Sequence, residues 1–496
     1  MKRSHLTSLI FFLSLITIIV MDGALILPNQ VLIAVEMDVY FDSIGIMIGF
    51  YIVISGISTL IFGYLTDLIS RKHLLLFAGF LWSSISILHI FIEDFWHLFA
   101  LRMIAAIATG VTTPIAFSYL ADIVSSDSRS KAFAWWGLIT MLGGLIAGAV
   151  ALSFNRIDYH LIDTESGSIS ENISYISTNY SHLVNTWRYP FLILGIVALI
   201  LTIFSIFLTK EIKRGVSEKV FEDLKEEELH YSYKIKLSDF KLIFTRRSNF
   251  FLVMNCFDVV ASGLLIAFIF PYINLEMGIS FGDPEGLIKV IILLLIAAPA
   301  AFLFGQFGLA YWADKKVKGG QITARIRVAT ISSILHLPFL LAAFAMAPNV
   351  RTSSFFFGLL SVDEVGFWVL WIIFAILLGL GLAFTFGIAP NWYSSLIDVN
   401  LPEHRGTMIA TASFIDTIGR ALGAIAGGIF IVLTDSISGT IFWAILIFGI
   451  FSLMFWIPLF YTCEKDYQEV YDIMTQRAEV IKERIDGSSA DGAAIE

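Results

Sequence analysis

Asp22, Arg102, Asp258, Asp416 and Arg420 are the residues best placed to do chemistry, because each lies inside a long run of apolar residues. A charge at the centre of a bilayer-spanning helix costs at least about 2.5–3.5 kcal/mol on insertion scales, so its retention points to a role. Burial disfavours a charged carboxylate and a neighbouring guanidinium favours it, so a carboxylate whose surroundings alternate can take up and release a proton. Asp22 and Asp258 are therefore candidate ion-responsive groups. Arg102 and Arg420 are candidate contacts for an anionic or zwitterionic small molecule. Each has a structural alternative. Either aspartate can be fixed in a packing hydrogen bond or ion pair, and Arg102 can pair with Asp22 or snorkel to the headgroups. Asp416 and Arg420 are four residues apart, hence on one helix face, where they can neutralise each other. Asn391 and Trp392 are cavity or gate candidates, with interfacial anchoring as the alternative for the tryptophan. His89 and His336, alone in apolar runs, read as packing histidines.

The elements that must position these side chains follow from composition. The chain has 496 residues, 57% hydrophobic and only 15% charged, with a mean hydropathy of +0.82. A soluble chain carries about 25% charged residues. A soluble enzyme, a disordered regulator and a nucleic-acid binder are excluded as poor fits. The net charge of −9 offers nothing to a polyanion. Cys256 and Cys463 cannot build a disulfide framework.

Twelve runs are long enough to cross about 30 Å of hydrocarbon. They cover roughly 7–35, 44–66, 74–92, 96–121, 132–154, 188–209, 249–275, 287–312, 328–347, 365–394, 407–433 and 439–461. The bilayer leaves open backbone groups no partner, so the runs are helices. An all-α membrane protein follows: a first six-helix bundle over 1–209, a charged linker over 210–248, a second bundle over 249–461 and an amphipathic tail helix over 462–496. With the N-terminus inside, 26 of the 32 Lys and Arg residues fall on the cytoplasmic side and 4 on the other, which places both termini in the cytoplasm. The outer 155–187 segment reads as an exposed loop, with Asn172 and Asn179 as glycosylation candidates in Asn-x-Ser sequons.

The halves repeat. Leu120-Ala121-Asp122-Ile123 and Arg129 align with Leu396-Ile397-Asp398-Val399 and Arg405 at a constant offset of 276. Two related six-helix halves are one build of secondary transporters, with the substrate site between them near the midplane. Gly63-Tyr64-Leu65-Thr66-Asp67-Leu68-Ile69-Ser70-Arg71-Lys72 resembles the Gly-x-Leu-x-Asp-x-x-x-Arg-Lys signature of the major facilitator superfamily, at the loop where that superfamily carries it. The resemblance implies a twelve-helix fold working by alternating access, with the first, fourth, seventh and tenth helices lining the cavity. It also implies an inner gate in which Gly63 allows close helix approach and Asp67 and Arg71 latch to Arg129. Asp314, in the degenerate second-half counterpart, and Arg405 complete that gate.

Within the superfamily, Met21-Asp22, Phe62-Gly63-Tyr64-Leu65, Arg71-Lys72-His73-Leu74, Phe95-Trp96, Leu120-Ala121-Asp122 and Asn391-Trp392 resemble Spinster-like transporters. That implies a carrier in the cell membrane for a lysolipid or other small amphiphile, linked to protons and acting as a monomer. Two positions depart from the pattern: Thr109 stands where such proteins usually carry Glu, and Gly419-Arg420 stands where they carry Gly-Asp. No P-loop, zinc-protease or nucleophile-elbow pattern is present, so no enzyme activity, cofactor or metal is expected. A carrier of a water-soluble organic anion or sugar, a non-transporting receptor and a passive lipid scramblase are the alternatives.

Overall fold

A computed structural model describes residues 3–123, 129–162, 168–211, 246–400 and 402–492. The first half comprises α1 (Arg3–Val20), α2 (Asp22–Ile26), α3 (Gln30–Glu36), α4 (Phe41–Leu68), α5 (Arg71–Leu88), α6 (Phe95–Ile123), α7 (Arg129–Phe154), α8 (Ile169–Asn179) and α9 (Arg188–Leu208). The second comprises α10 (Arg247–Met254), α11 (Phe257–Pro271), α12 (Pro284–Pro299), α13 (Ala310–Lys318), α14 (Ala324–Met346), α15 (Glu364–Asp398), α16 (Pro402–Thr434) and α17 (Ile437–Gly492). A two-stranded antiparallel hairpin, β1 (Ser354–Phe355) and β2 (Leu360–Ser361), sits between α14 and α15. Ten helical stretches are long and apolar enough to span a bilayer, and the bent pair Thr7–Val20 and Asp22–Glu36, meeting at 43°, makes an eleventh. At the fifth run, the part of α7 that qualifies as an apolar helix is Leu142–Phe154.

Local chemistry explains the breaks. Pro28 cannot donate a backbone hydrogen bond and interrupts the first span as the short 3-10 turn Leu27–Asn29. Pro271 and Pro299 each precede π-helical turns, Tyr272–Glu276 and Ala300–Leu309. α17 runs unbroken from the last span into the tail, ending at Gly492.

The halves meet along α4 and α16. Gly45 lies on the backbone of Ala424 and Gly428, and Gly428 lies on the backbone of Phe41, so any side chain at either position would collide with main chain. The adjoining face of α16 uses the Gly419, Gly423 and Gly427 ladder to approach Cys256, Val260 and Leu264. Small residues at this spacing are how spanning helices come close without a hydrophobic drive between them.

A further repeat is visible only in three dimensions. Glu36, closing the first span, pairs with Arg188 at 3.1 Å and accepts from the Trp187 indole at the start of α9. Glu276, closing the seventh, accepts from Ser436 Oγ at 3.0 Å and from the backbone N–H groups of Ile437 and Ser438 at the start of α17. Both carboxylates thus sit at a helix N-terminus, where negative charge is favoured.

Candidate functional site

Asp22 begins α2 just after the kink, and Arg102 lies two turns into α6. The guanidinium meets the carboxylate two-pronged, Nη1 to Oδ1 at 2.9 Å and Nη2 to Oδ2 at 2.6 Å. The Trp82 indole donates to the same Oδ1 at 2.9 Å. The pair is 1% and 2% exposed, which makes it a sealed ion pair rather than a snorkelling charge. The Tyr51 ring lies over the guanidinium at 4.6 Å, and its hydroxyl donates to Thr109 at 3.0 Å. Thr109 therefore anchors the residue that covers Arg102.

Between the halves lies a cavity of about 180 Å³. Gly23, Met47, Tyr51 and Arg102 wall it from the first half, and Gly263, Ile266, Ala267 and Arg420 from the second. Its lining is apolar apart from Tyr51 and the two arginines. Arg420 is 47% exposed and pairs with Asp416, 13% exposed, four residues back on α16. The Asp416 and Arg420 side chains pair with each other, and Arg420 is among the residues lining the cavity.

The other candidates lie elsewhere. Asp258 turns toward α17, accepting from Ser452 Oγ at 3.0 Å and the Trp456 indole at 3.4 Å, and is not on the cavity wall. Asn391 is buried and donates to Gly387 O on its own helix at 2.8 Å. The Trp392 indole donates to Leu252 O at 2.8 Å, tying α15 to α10. Neither Asn391 nor Trp392 lines the cavity, because both spend their polar groups on packing the second half. His89 stacks on Phe191 at 4.4 Å and bonds Ile85 O at 2.7 Å, the packing role expected of it.

At the linker face, the side chains of Asp67, Arg129 and Arg405 lie outside the described residues. Gly63 has open space beside it, so close approach does not explain that glycine. Arg71 is buried, and its backbone N–H donates to Glu211, which also accepts from Lys72 N and Ser70 Oγ and so caps α5. In the second half, Arg325 bridges Asp314 at 2.7 Å and Asp398 at 2.7 Å, joining α13, α14 and α15. Sequence spacing hid this arginine because Gly319-Gly320 and the turn after it displace it from the signature's register. Tyr51 and Trp82 carried no sequence signal that set them apart from other membrane aromatics.

At the loop face, the described residues 168–187 are not an exposed loop but carry the helix α8 and a 3-10 turn. Ser168 caps α8 by accepting from Glu171 N at 3.2 Å, and Ile169, Asn172 and Ile176 are buried. Asn172 is 0% exposed, with its amide nitrogen donating to Leu275 O at 3.2 Å and its oxygen accepting from Arg351 at 3.3 Å. That buried, doubly bonded amide cannot carry a glycan in this conformation. Asn179 is exposed and stays a candidate.

A family model described as Major Facilitator Superfamily matches residues 10–362. Protein spinster of Drosophila melanogaster is 29% identical over 187 residues, 37% of this chain and 26% of that protein. Human synaptic vesicle glycoprotein 2B is 32% identical over 93 residues, 19% of this chain and 14% of that protein. The matches thus span about a quarter or less of these relatives' own length. A crystal structure of a bacterial homologue of the human lysosomal transporter Spinster, inward-facing and unoccupied, superposes with a TM-score of 0.69 at 16% identity, covering 94% of this chain and 99% of that one. The nucleoside transporter NupG superposes with a TM-score of 0.56 at 15% identity, covering 93% and 99%. At these identities the structures speak to fold alone, and they agree with the family model. The chain is a multi-pass membrane protein that belongs to the major facilitator superfamily, a family of transporters rather than enzymes.

Proposed function

We propose that this chain is a secondary active carrier of a small amphiphilic or anionic solute, working by alternating access and coupled to protons or another ion. The observation that carries the reading is the inter-half cavity, walled almost wholly by apolar atoms, with Arg102 and Arg420 among its lining residues. Such a lining suits a molecule with an apolar body and a negative or zwitterionic head, and suits a sugar poorly, since buried hydroxyls need partners. His160 and Asn172 reach the second half at the loop face, and α4 packs on α16 from Gly45 to Gly56. That pattern supports a state closed at the loop face, which the distribution of Lys and Arg assigns to the outside.

Coupling is assigned to Asp22 and Asp258. The two sit in opposite halves, and a carboxylate that exchanges a guanidinium partner for substrate or solvent changes its proton affinity. The linker-face ion cluster around Arg325 and the Asp67, Arg71 and Arg129 signature would close the inner side in the opposite state. The synaptic vesicle, Spinster and nucleoside-transporter names belong to those proteins and leave the substrate here to experiment.

The test uses proteoliposomes with an imposed pH gradient and substrates found by mass spectrometry of cells with and without the protein. Gradient-driven accumulation is expected, with Asp22→Asn reducing it at least tenfold. Full gradient-driven uptake by Asp22→Asn would remove Asp22 from coupling. Flux indifferent to any gradient would replace the carrier with a passive scramblase.

A further inference from the structure

We propose that the described stretches 155–162 and 168–187 form a strap, fastened by Arg351, that holds the halves together at the loop face and sets how often that face opens. The proposal rests on the alternating-access reading. Arg351 belongs to the second half, in the turn between α14 and β1. Its Nη1 donates to Ile162 O at 3.2 Å and Asn172 Oδ1 at 3.3 Å, both in the first half's strap. Its Nη2 donates to Leu275 O, the same carbonyl that accepts from Asn172 Nδ2. Strap, arginine and the π-helical end of the seventh span thus converge on one oxygen.

The arginine is held in place from behind. Val350 N donates to Met277 O at 2.9 Å. The Arg351 stem crosses Gly278, whose φ of +71° and lack of a side chain are both needed, since a Cβ there would overlap the stem. Burial pushes the Arg351 guanidinium down from its ordinary pKa, yet a guanidinium stays charged in proteins. Its charge is met by carbonyl and amide oxygens drawn from both halves, with no carboxylate partner among the described residues.

Two further contacts tie the strap to the second half. His160 donates its backbone N–H to Ser280 Oγ at 3.2 Å, with the ring Nδ1 at 3.1 Å from the same oxygen. Ser170 meets Asp435 through its backbone N–H at 3.3 Å and its hydroxyl at 3.1 Å. Beneath the strap the seal itself is poorly satisfied. Asn29 and Gln30 are 0% exposed, and Asn29 Oδ1 and Gln30 Oε1 have no hydrogen-bond partner among the described residues. Buried unpaired acceptors carry a desolvation cost that hydration on opening relieves. Interface packing alone therefore favours opening more than an apolar seal would, and the strap opposes it.

The experiment uses the full chain in nanodiscs of phosphatidylcholine and phosphatidylglycerol, with Cys256→Ser and Cys463→Ser as background. Spin labels at Ser181→Cys and Leu359→Cys span the loop face, and labels at Ile69→Cys and Lys318→Cys span the linker face. Pulsed dipolar distances are expected to show one dominant short loop-face population in the unmodified strap. Arg351→Met should raise the long-distance population about tenfold, with Arg351→Lys, which keeps the charge but loses the fork, raising it less. A loop-face distribution unchanged by Arg351→Met overturns the strap. Should Arg351→Met not yield monodisperse protein, Arg351→Lys is judged on the same two outcomes. Loop-face widening with no matching change at the linker face would uphold the strap and overturn alternating access.

Discussion

Asp22 and Asp258 occupy similar stretches of the first and seventh spans, yet their surroundings differ in kind. Asp22 is met by a guanidinium on both oxygens and an indole on one. Asp258 is met by a hydroxyl and an indole, with no cation among its described partners. One half holds a neutralised pair beside the cavity, and the other holds a carboxylate with neutral donors set back against α17. The repeat thus preserved the helices and let the chemistry diverge. An internal repeat read from sequence is evidence about fold and weak evidence about the roles of matched residues.

The largest expected effect breaks the first-half pair. Removing one partner of a buried ion pair strands the other, at about 3–5 kcal/mol. Arg102→Leu should therefore lower the thermal unfolding midpoint in detergent more than any other single change in the cavity wall. Arg420→Leu should cost at most about 1 kcal/mol, because that guanidinium is half exposed and its pair is screened. The double variant Asp22→Asn with Arg102→Leu should recover part of the loss, since the stranded charge is gone. Equal costs for Arg102→Leu and Arg420→Leu would mean that the first-half pair is hydrated and the contrast between halves is not real.

A middle-sized effect compares the two indoles. Trp82→Phe removes a donor 2.9 Å from a charged carboxylate and should cost about 1.5–3 kcal/mol. Trp456→Phe removes a donor at 3.4 Å, at the edge of useful hydrogen-bond geometry, and should cost less. Paired thermal melts decide the order, and a larger loss from Trp456→Phe would reverse it.

The same contrast explains what could be read in the sequence. Spanning helices were legible because bilayer thickness imposes one length and one composition on each run. The Asp22 and Arg102 partnership was legible because so few charges lie at membrane depth. Even the strap helix had a signal in Ser168-Ile-Ser-Glu171, a capping box that the polar composition around it obscured. What sequence could not supply was direction. Asp258, Asn391 and Trp392 are polar positions in spans, but facing is set by packing between helices, which a single chain of letters does not encode. Arg325, at the start of α14, and Arg351, in a turn, follow connections whose lengths differ between the halves, so no fixed offset finds them.

The smallest expected effect sharpens the comparison most. An asparagine oxygen at Asp258 can accept the same bonds from Ser452 and Trp456, so Asp258→Asn should change stability by no more than about 1 kcal/mol. Its consequence for transport is separate. If Asp258 contributes to coupling, Asp258→Asn lowers accumulation driven by a pH gradient and leaves exchange at equal pH intact, because exchange needs no net ion movement. If accumulation is unchanged, coupling rests with Asp22 and its guanidinium partner, and Asp258 is a packing residue of the α11 and α17 contact. A carboxylate that can be neutralised at almost no structural cost is a clean probe of ion coupling, which the sealed Asp22 and Arg102 pair cannot be.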